Sequence, residues 1–223
     1  MARAVRASTD QRLFSAARAA FARKGLAGTH LTADILAPAR VSVGSFYHRF
    51  ADKTDLLLAI LREHSEAFRT ALRDAHQPAP GRTLIDIVRD SYAMLFQLAE
   101  DNEDLLRIQL VERNSADPRV RQYLREDRAR WLASLADDYR RLGSTRVRSA
   151  PQSPRALDVE LLAELVVGLS LGCVAQLLEL PKDERPAARE RLLEVLVRFT
   201  LGGAAALAEG HPLDSPPTPG APS

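Results

Sequence analysis

At 223 residues, 46% hydrophobic and 27% charged, the chain fits one large domain or a small domain fused to a larger one, and it can bury a sizeable core. A single cysteine, Cys173, excludes an internal disulfide framework. The start MARAVRASTDQR has no apolar signal core, and the apolar runs break before the roughly 20 residues of a membrane span, so a cytoplasmic protein with no membrane partner is expected. The formal net charge is only +2, yet residues 1–55 hold nine Lys/Arg against four Asp, and the remainder sums to −3. Such a basic first quarter is either a polyanion-binding module or incidental surface charge.

Residues 1–9 form a basic arm with Arg3 and Arg6, which either reaches into a DNA groove or is an inert tail. From Asp10 to Lys24, residues Leu13, Phe14, Ala17, Ala20 and Phe21 recur at helical spacing. Ser8 and Gln11 have capping-box spacing, and Gly25 is placed as the stop. The turn Leu26–Thr29 leads to a second short helix, 31–38, with Leu31, Ile35 and Leu36 apolar; Ala39-Arg40-Val41 then turns the chain again.

In the next run Ser42 is an N-cap, and Gly44 removes a side chain where something must come close to the backbone. Phe46 and Phe50, four apart, anchor one face. Ser45, Tyr47, His48 and Arg49 remain on the outer side, able to hydrogen-bond an anion or a base edge. A helix of about 10 Å is too short to fold alone, so its outward chemistry is read as its purpose; a structural corner with incidental polar residues is the rival reading. Asp52 caps a much longer helix that begins with Lys53. Three short helices, the last two tightly joined, make a helix-turn-helix.

The long helix 53–76 carries a stripe of Leu57, Ile60, Leu61, Phe68 and Leu72, within which His64 is either a core histidine or a ligand contact. After the break Gln77–Gly81, helices are expected over 82–100, 103–114 and 118–142. Their inward residues include Tyr92, Phe96, Gln109, Trp131 and Tyr139. Asp127 and Arg128 stand where the inward stripe should continue, either turned inward or simply exposed. A polar loop, 143–154, precedes two helices, 156–180 and 184–208, that are apolar around most of their circumference. Such helices must bury both sides, which points to packing on their own core and on a second subunit. Leu161, Leu165, Leu169, Leu196 and Phe199 would form that interface, with Gly168, Gly172 and Gly203 admitting a close partner helix. Cys173 reads as a small buried hydrophobe. Residues 209–223 are Pro-rich and expected to be disordered. No stretch alternates with period two, so the chain reads as all-α with about nine helices. Its expected divisions are 1–52, 53–208 and a tail at 209–223.

The pattern Leu13…Ala17…Phe21…Gly25, followed by Val41-Ser42-x-Gly44-Ser45-Phe46-Tyr47-His48-x-Phe50-x-x-Lys53-x-x-Leu56-Leu57, resembles the TetR family of bacterial transcriptional regulators. The likeness covers Gln11–Leu61; beyond residue 65 it is architectural. It implies a homodimer that binds double-stranded operator DNA through helices 2 and 3 and is released by a small molecule in the C-terminal body. By position, the recognition helix is Ser42–Arg49, with Val43, Ser45 and His48 facing bases or lining the groove beside Gly44. Val43 would meet a thymine methyl. Tyr47 and Lys53 match the usual phosphate contacts, and Thr29 and His30 sit near the phosphate-facing start of helix 2. The effector pocket implied among helices 4 to 8 would be lined by His64, Tyr92, Phe96, Gln109 and Trp131 and would take a largely apolar molecule. Three departures stand out. Arg40 replaces a glycine suited to positive φ and offers a phosphate contact in exchange. Pro38 lies near the end of helix 2, and the spacing from Gly25 to Val41 is one residue longer than the family's usual.

Two rival classes fit less well. Asp137-Asp138 and the acidic cluster 100–104 suggest a metal-dependent helical enzyme, but no second acidic motif, phosphate loop or metal-spaced cluster accompanies them. The reading is therefore no enzyme, no metal and no cofactor. A protein-only adaptor would leave the basic N-terminal quarter and residues 45–53 unexplained.

Overall fold

Ser8 opens the first helix with the reciprocal cap its spacing predicts: its Oγ accepts the Gln11 N–H at 3.2 Å, and Gln11 Oε1 accepts the Ser8 N–H at 2.8 Å. Helix α1 spans Thr9–Gly28 and is broken at Gly25, where φ is 66° and ψ 173°. Eight more helices follow in the computed structural model, which describes residues 8–75, 81–146 and 159–209. They are α2 (31–39), α3 (Val43–Tyr47), α4 (Lys53–Ala75), α5 (Leu84–Asp101), α6 (Glu103–Glu112), α7 (Pro118–Arg146), α8 (Val159–Glu179) and α9 (Arg185–Glu209). Among the described residues there is no strand, and the architecture is the expected all-α one, a helix-turn-helix followed by a larger helical part. Expectations for the arm, for 77–80, for the loop beyond Arg146 and for 210–223 lie outside the described residues.

The described residues fall into two compact units. The first comprises 8–75 and 94–131 and so extends past residue 52 to take in α6 and the start of α7. Its core joins Leu13, Ala17 and Phe21 of α1, Ile35 and Leu36 of α2, Phe46 of α3 and Leu57 and Leu61 of α4 to Leu105 and Ile108 of α6 and Val120 of α7. Phe46 and Phe50 share the face their spacing predicts, their ring centroids 5.6 Å apart, with Phe14 6.4 Å from Phe50. Each such buried side chain contributes about 1.5–3 kcal/mol, which is what holds a five-residue helix in place.

Polar ties fasten the same elements. Arg18 of α1 grips Asp104 of α6 through two bonds of 2.7 and 2.8 Å. Thr54 at the start of α4 donates to Asp117 ahead of α7 at 3.0 Å. Asp127 turns inward: it accepts from Ser65 at 2.7 Å and from Arg69 at 2.7 Å, joining α7 to α4.

The second unit comprises 81–93, 132–146 and 159–209. Ala163, Val166, Val167, Ser170, Val174 and Leu177 make the inner face of α8, against Leu193, Leu196 and Val197 of α9. Arg185 caps the end of α8, donating to Leu178 O at 2.9 Å and Leu180 O at 3.0 Å. By length and composition α8 is apolar enough to cross a membrane, which corrects the expectation that no run reaches that length. Its apolarity is divided between this inner face and an outer one on which Leu161, Leu165 and Leu169 are exposed.

Two placements in the expected dimer surface differ. Leu196 is 1% exposed and belongs to the protomer's own core, because it lies about 100° around the helix from Val195, which is 63% exposed. Leu161, Leu165, Leu169 and Phe199 do lie outward, and an added Cβ at Gly168, Gly172 or Gly203 would meet nothing within 4 Å.

Candidate nucleic-acid interface

Leu31–Leu36 is π-helical. The Ala37 N–H reaches back five residues to Thr32 O, and the Val41 N–H reaches five back to Leu36 O at 3.0 Å. Pro38 then falls in the first turn of the α-helical end, Ala37–Ala39, instead of breaking the helix. Arg40 follows at φ 55° and ψ 47°, the left-handed conformation in which a glycine is usual. Among the described residues it is the one non-glycine with positive φ. Arg12 of α1 steadies this turn, its Nε donating to Ala39 O at 3.1 Å.

In α3, Ser42 Oγ accepts the Ser45 N–H at 3.1 Å and donates to Ser45 Oγ at 2.8 Å, leaving the Ser45 proton for another acceptor. Phe46 is fully buried, while Val43 (48% exposed) and Tyr47 (57%) stand outward with Gly44, Ser45 and His48. Arg49 is exposed, as expected, but it is held in a surface ion pair. Its guanidinium pairs with Asp10 at the start of α1 and lies 5.5 Å over the Phe50 ring, fastening the end of α3 to α1.

The start of α2 carries a correction. Thr29 is 2% exposed, and its hydroxyl donates inward to Gly25 O at 2.6 Å. Its side chain is therefore not on the surface, because satisfying the carbonyl released by the Gly25 break takes it inside. His30 is exposed, its N–H held by Asp34 Oδ2 at 2.8 Å, and Asp34 also takes Lys24 Nζ at 2.6 Å. Those two bonds, Lys24's first, keep the Asp34 carboxyl below its ordinary range. Lys53 Nζ donates to Thr29 O at 2.7 Å, so the amine closes the end of α1; an ammonium has three donors and retains capacity for a phosphate. Asp52 caps α4 through the Asp55 N–H at 2.8 Å and pairs with Arg119 at 2.9 Å. Burial pushes its carboxyl up, but that N–H and Arg119 outweigh it and hold it low.

The residues expected around a ligand separate. In the first unit Phe68 stacks on Trp131 with centroids 5.1 Å apart, and His64 lies tilted against Phe68 at 5.6 Å. Burial, with Arg18's charge, makes His64 harder to protonate, against the pull of Asp104 and Asp127. Phe96 is fully buried and Gln109 half-buried in that unit. Tyr92 lies in the second, its hydroxyl 2.5 Å from Thr200 Oγ1. Among the described residues no three His, Cys, Asp or Glu are grouped to hold a metal ion. Sequence reasoning missed Arg12, whose partner is a backbone carbonyl 27 residues away that no side-chain pattern marks.

Three short helices in one core, the third turning an uncharged polar and apolar face outward, define a helix-turn-helix. Residues 13–60 match the model of the bacterial regulatory proteins of the tetR family. Over its helix-turn-helix this chain is therefore similar to that family. Solved structures share its fold well beyond the matched residues. One is GusR of Salmonella enterica, 23% identical over 87% of this chain and 94% of that one, with a TM-score of 0.69. The fatty acid degradation regulator FadR from Bacillus halodurans is 18% identical over 89% and 97%, at 0.71. A transcriptional regulator from Rhodococcus sp. Rha1 is 19% identical over 88% and 97%, at 0.66.

Proposed function

We propose that this chain is a TetR-family DNA-binding regulator, an effector-responsive repressor that binds a palindromic operator as a homodimer in the cytoplasm. The observation that carries the reading is the outward face of α3: Val43, Gly44, Ser45, Tyr47 and His48 are all exposed around a buried Phe46. Each subunit lays that face in a major groove, with the two recognition helices about 34–36 Å apart or a multiple of that. Val43 meets a thymine methyl, Ser45 and His48 address base edges or line the groove, and Tyr47, Lys53, Arg40 and His30 take phosphates.

The second copy docks on α8 and α9. Exposed Leu161, Leu165, Leu169, Val195 and Phe199 make an apolar stripe, and open glycines let helices approach. A twofold axis pairs such a surface with itself. Residues 1–52 bind DNA and 53–208 hold the effector and the interface. The effector is largely apolar, in keeping with the aromatic cluster at His64, Phe68 and Trp131 and with Tyr92 in the body. It favours one of two conformations, and α4, which leads out of the DNA-binding part, carries the shift.

Selection of duplexes from a random pool at physiological salt tests the reading. It predicts a recovered palindrome with half-sites about one helical turn apart or a multiple. Recovery of non-specific binders alone refutes it.

A further inference from the structure

Glu112, the last residue of α6, is 4% exposed, and among the described residues its carboxylate forms no ion pair. Its Oε1 instead accepts the N–H of Leu26 at 2.6 Å, across 86 residues of sequence. The break at Gly25 explains why that N–H needs an outside partner, since the helical ladder is interrupted there. Gly25 is required twice at this point. Its φ of 66° suits glycine, and a Cβ on it would lie 3.1 Å from Glu112 Oε1 and 3.5 Å from Val111 Cγ1.

From this contact a line of hydrogen bonds leads to the DNA-facing side. Gly25 O takes the Thr29 hydroxyl at 2.6 Å, Leu26 O takes the Thr29 N–H at 3.4 Å, and Thr29 O takes Lys53 Nζ at 2.7 Å. The turn that Glu112 holds therefore sets where α2 begins, next to His30, and where the Lys53 amine sits.

We propose that Glu112 is a positioning residue for DNA readout: by capping Leu26 it fixes the α1–α2 turn, and so gives α6 a grip on the phosphate-contacting surface. The inference rests on the reading that α2, α3 and Lys53 meet DNA. A carboxylate–amide bond is about twice as strong as a neutral one. It is also lost when donor and acceptor separate by about 1 Å. The contact thus acts as a latch, firm while α6 stays in place and released by a small displacement.

The test compares Glu112→Gln, which keeps an acceptor without the charge, with Glu112→Met, which keeps the bulk without the acceptor. Affinity for the selected operator, affinity for an unrelated duplex and melting temperature are measured on the full chain. Glu112→Gln should bind the operator within about threefold of the parent, and Glu112→Met about tenfold more weakly, from the cost of a buried unmade bond. Binding of the unrelated duplex should weaken by a similar factor in Glu112→Met, because phosphate contacts do not depend on sequence. If Glu112→Met melts earlier but binds the operator as Glu112→Gln does, Glu112 is only a stabilising residue and the proposal falls. If Glu112→Met does not fold, Glu112→Asp takes its place, since it withdraws the acceptor by one methylene; operator binding like the parent's overturns the proposal equally. A parent protein that selects no operator would show instead, before any variant is made, that the DNA reading itself fails.

Discussion

Replacing Asp127 with alanine removes the acceptor on which α4 and α7 converge. Its Oδ2 accepts the Ser65 hydroxyl at 2.7 Å, and its Oδ1 accepts Arg69 at 2.7 Å and Arg130 at 3.2 Å. Ser65, 3% exposed, would lose its carboxylate acceptor, a loss of about 1 kcal/mol. Depriving Arg69 of its partner costs more. Breaking a fully buried ion pair costs about 3–5 kcal/mol. Here the two side chains are 13% and 12% exposed, and Arg69 keeps Glu66 at 2.6 Å, so a discounted figure of about 2 kcal/mol applies. The sum is about 3 kcal/mol, or a fall in melting temperature of roughly 6–12 °C for a chain of this size. Asp127→Asn, which keeps an acceptor for Ser65 but not the charge, should lose about half as much. Urea unfolding at one fixed protein concentration measures both, because dimer stability depends on concentration. A loss under about 0.5 kcal/mol for Asp127→Ala, the size of an ordinary surface substitution, would refute the assignment of this network to the fold.

The remaining predictions concern DNA and assembly. Lys53→Ala should weaken binding about equally on every operator variant and reduce the salt slope by roughly one. It should also lower the melting temperature slightly, because the amine closes the end of α1 on Thr29 O. A changed sequence preference would show that Lys53 does not act as a phosphate contact. Leu165→Arg alters a side chain 58% exposed in the protomer, so the fold should persist while sedimentation reports monomers that no longer bind a palindrome. A mutant that remains dimeric and binds fully would remove α8 from the interface.

Much of the candidate DNA-binding surface was legible because its signals are local. The Ser8–Gln11 box, the Ser42 cap, the Gly25 stop and the pairing of Phe46 with Phe50 each depend on residues three or four apart. Helical geometry relates such residues directly. The count of residues between Gly25 and Val41 likewise marked one too many, and Arg40 stood at a position that calls for positive φ. That Leu31–Leu36 is π-helical, with Pro38 harmless after it, emerges only when α2 is packed between α1 and α3.

Sequence by itself determined the all-α class, the helix-turn-helix and the short third helix with its outward polar residues, since period, caps and breaks are properties of neighbouring residues. Tertiary structure alone decided which polar groups face inward. Asp127 is turned in by Ser65 and Arg69 of α4, and the Leu26 N–H is met by Glu112 of α6. It also chose Val195 over Leu196 for the outer face of α9. A side chain at the edge of an apolar stripe can rotate either way at little local cost. The partner that settles its direction lies on another helix, often tens of residues away, and only the packed core brings the two together.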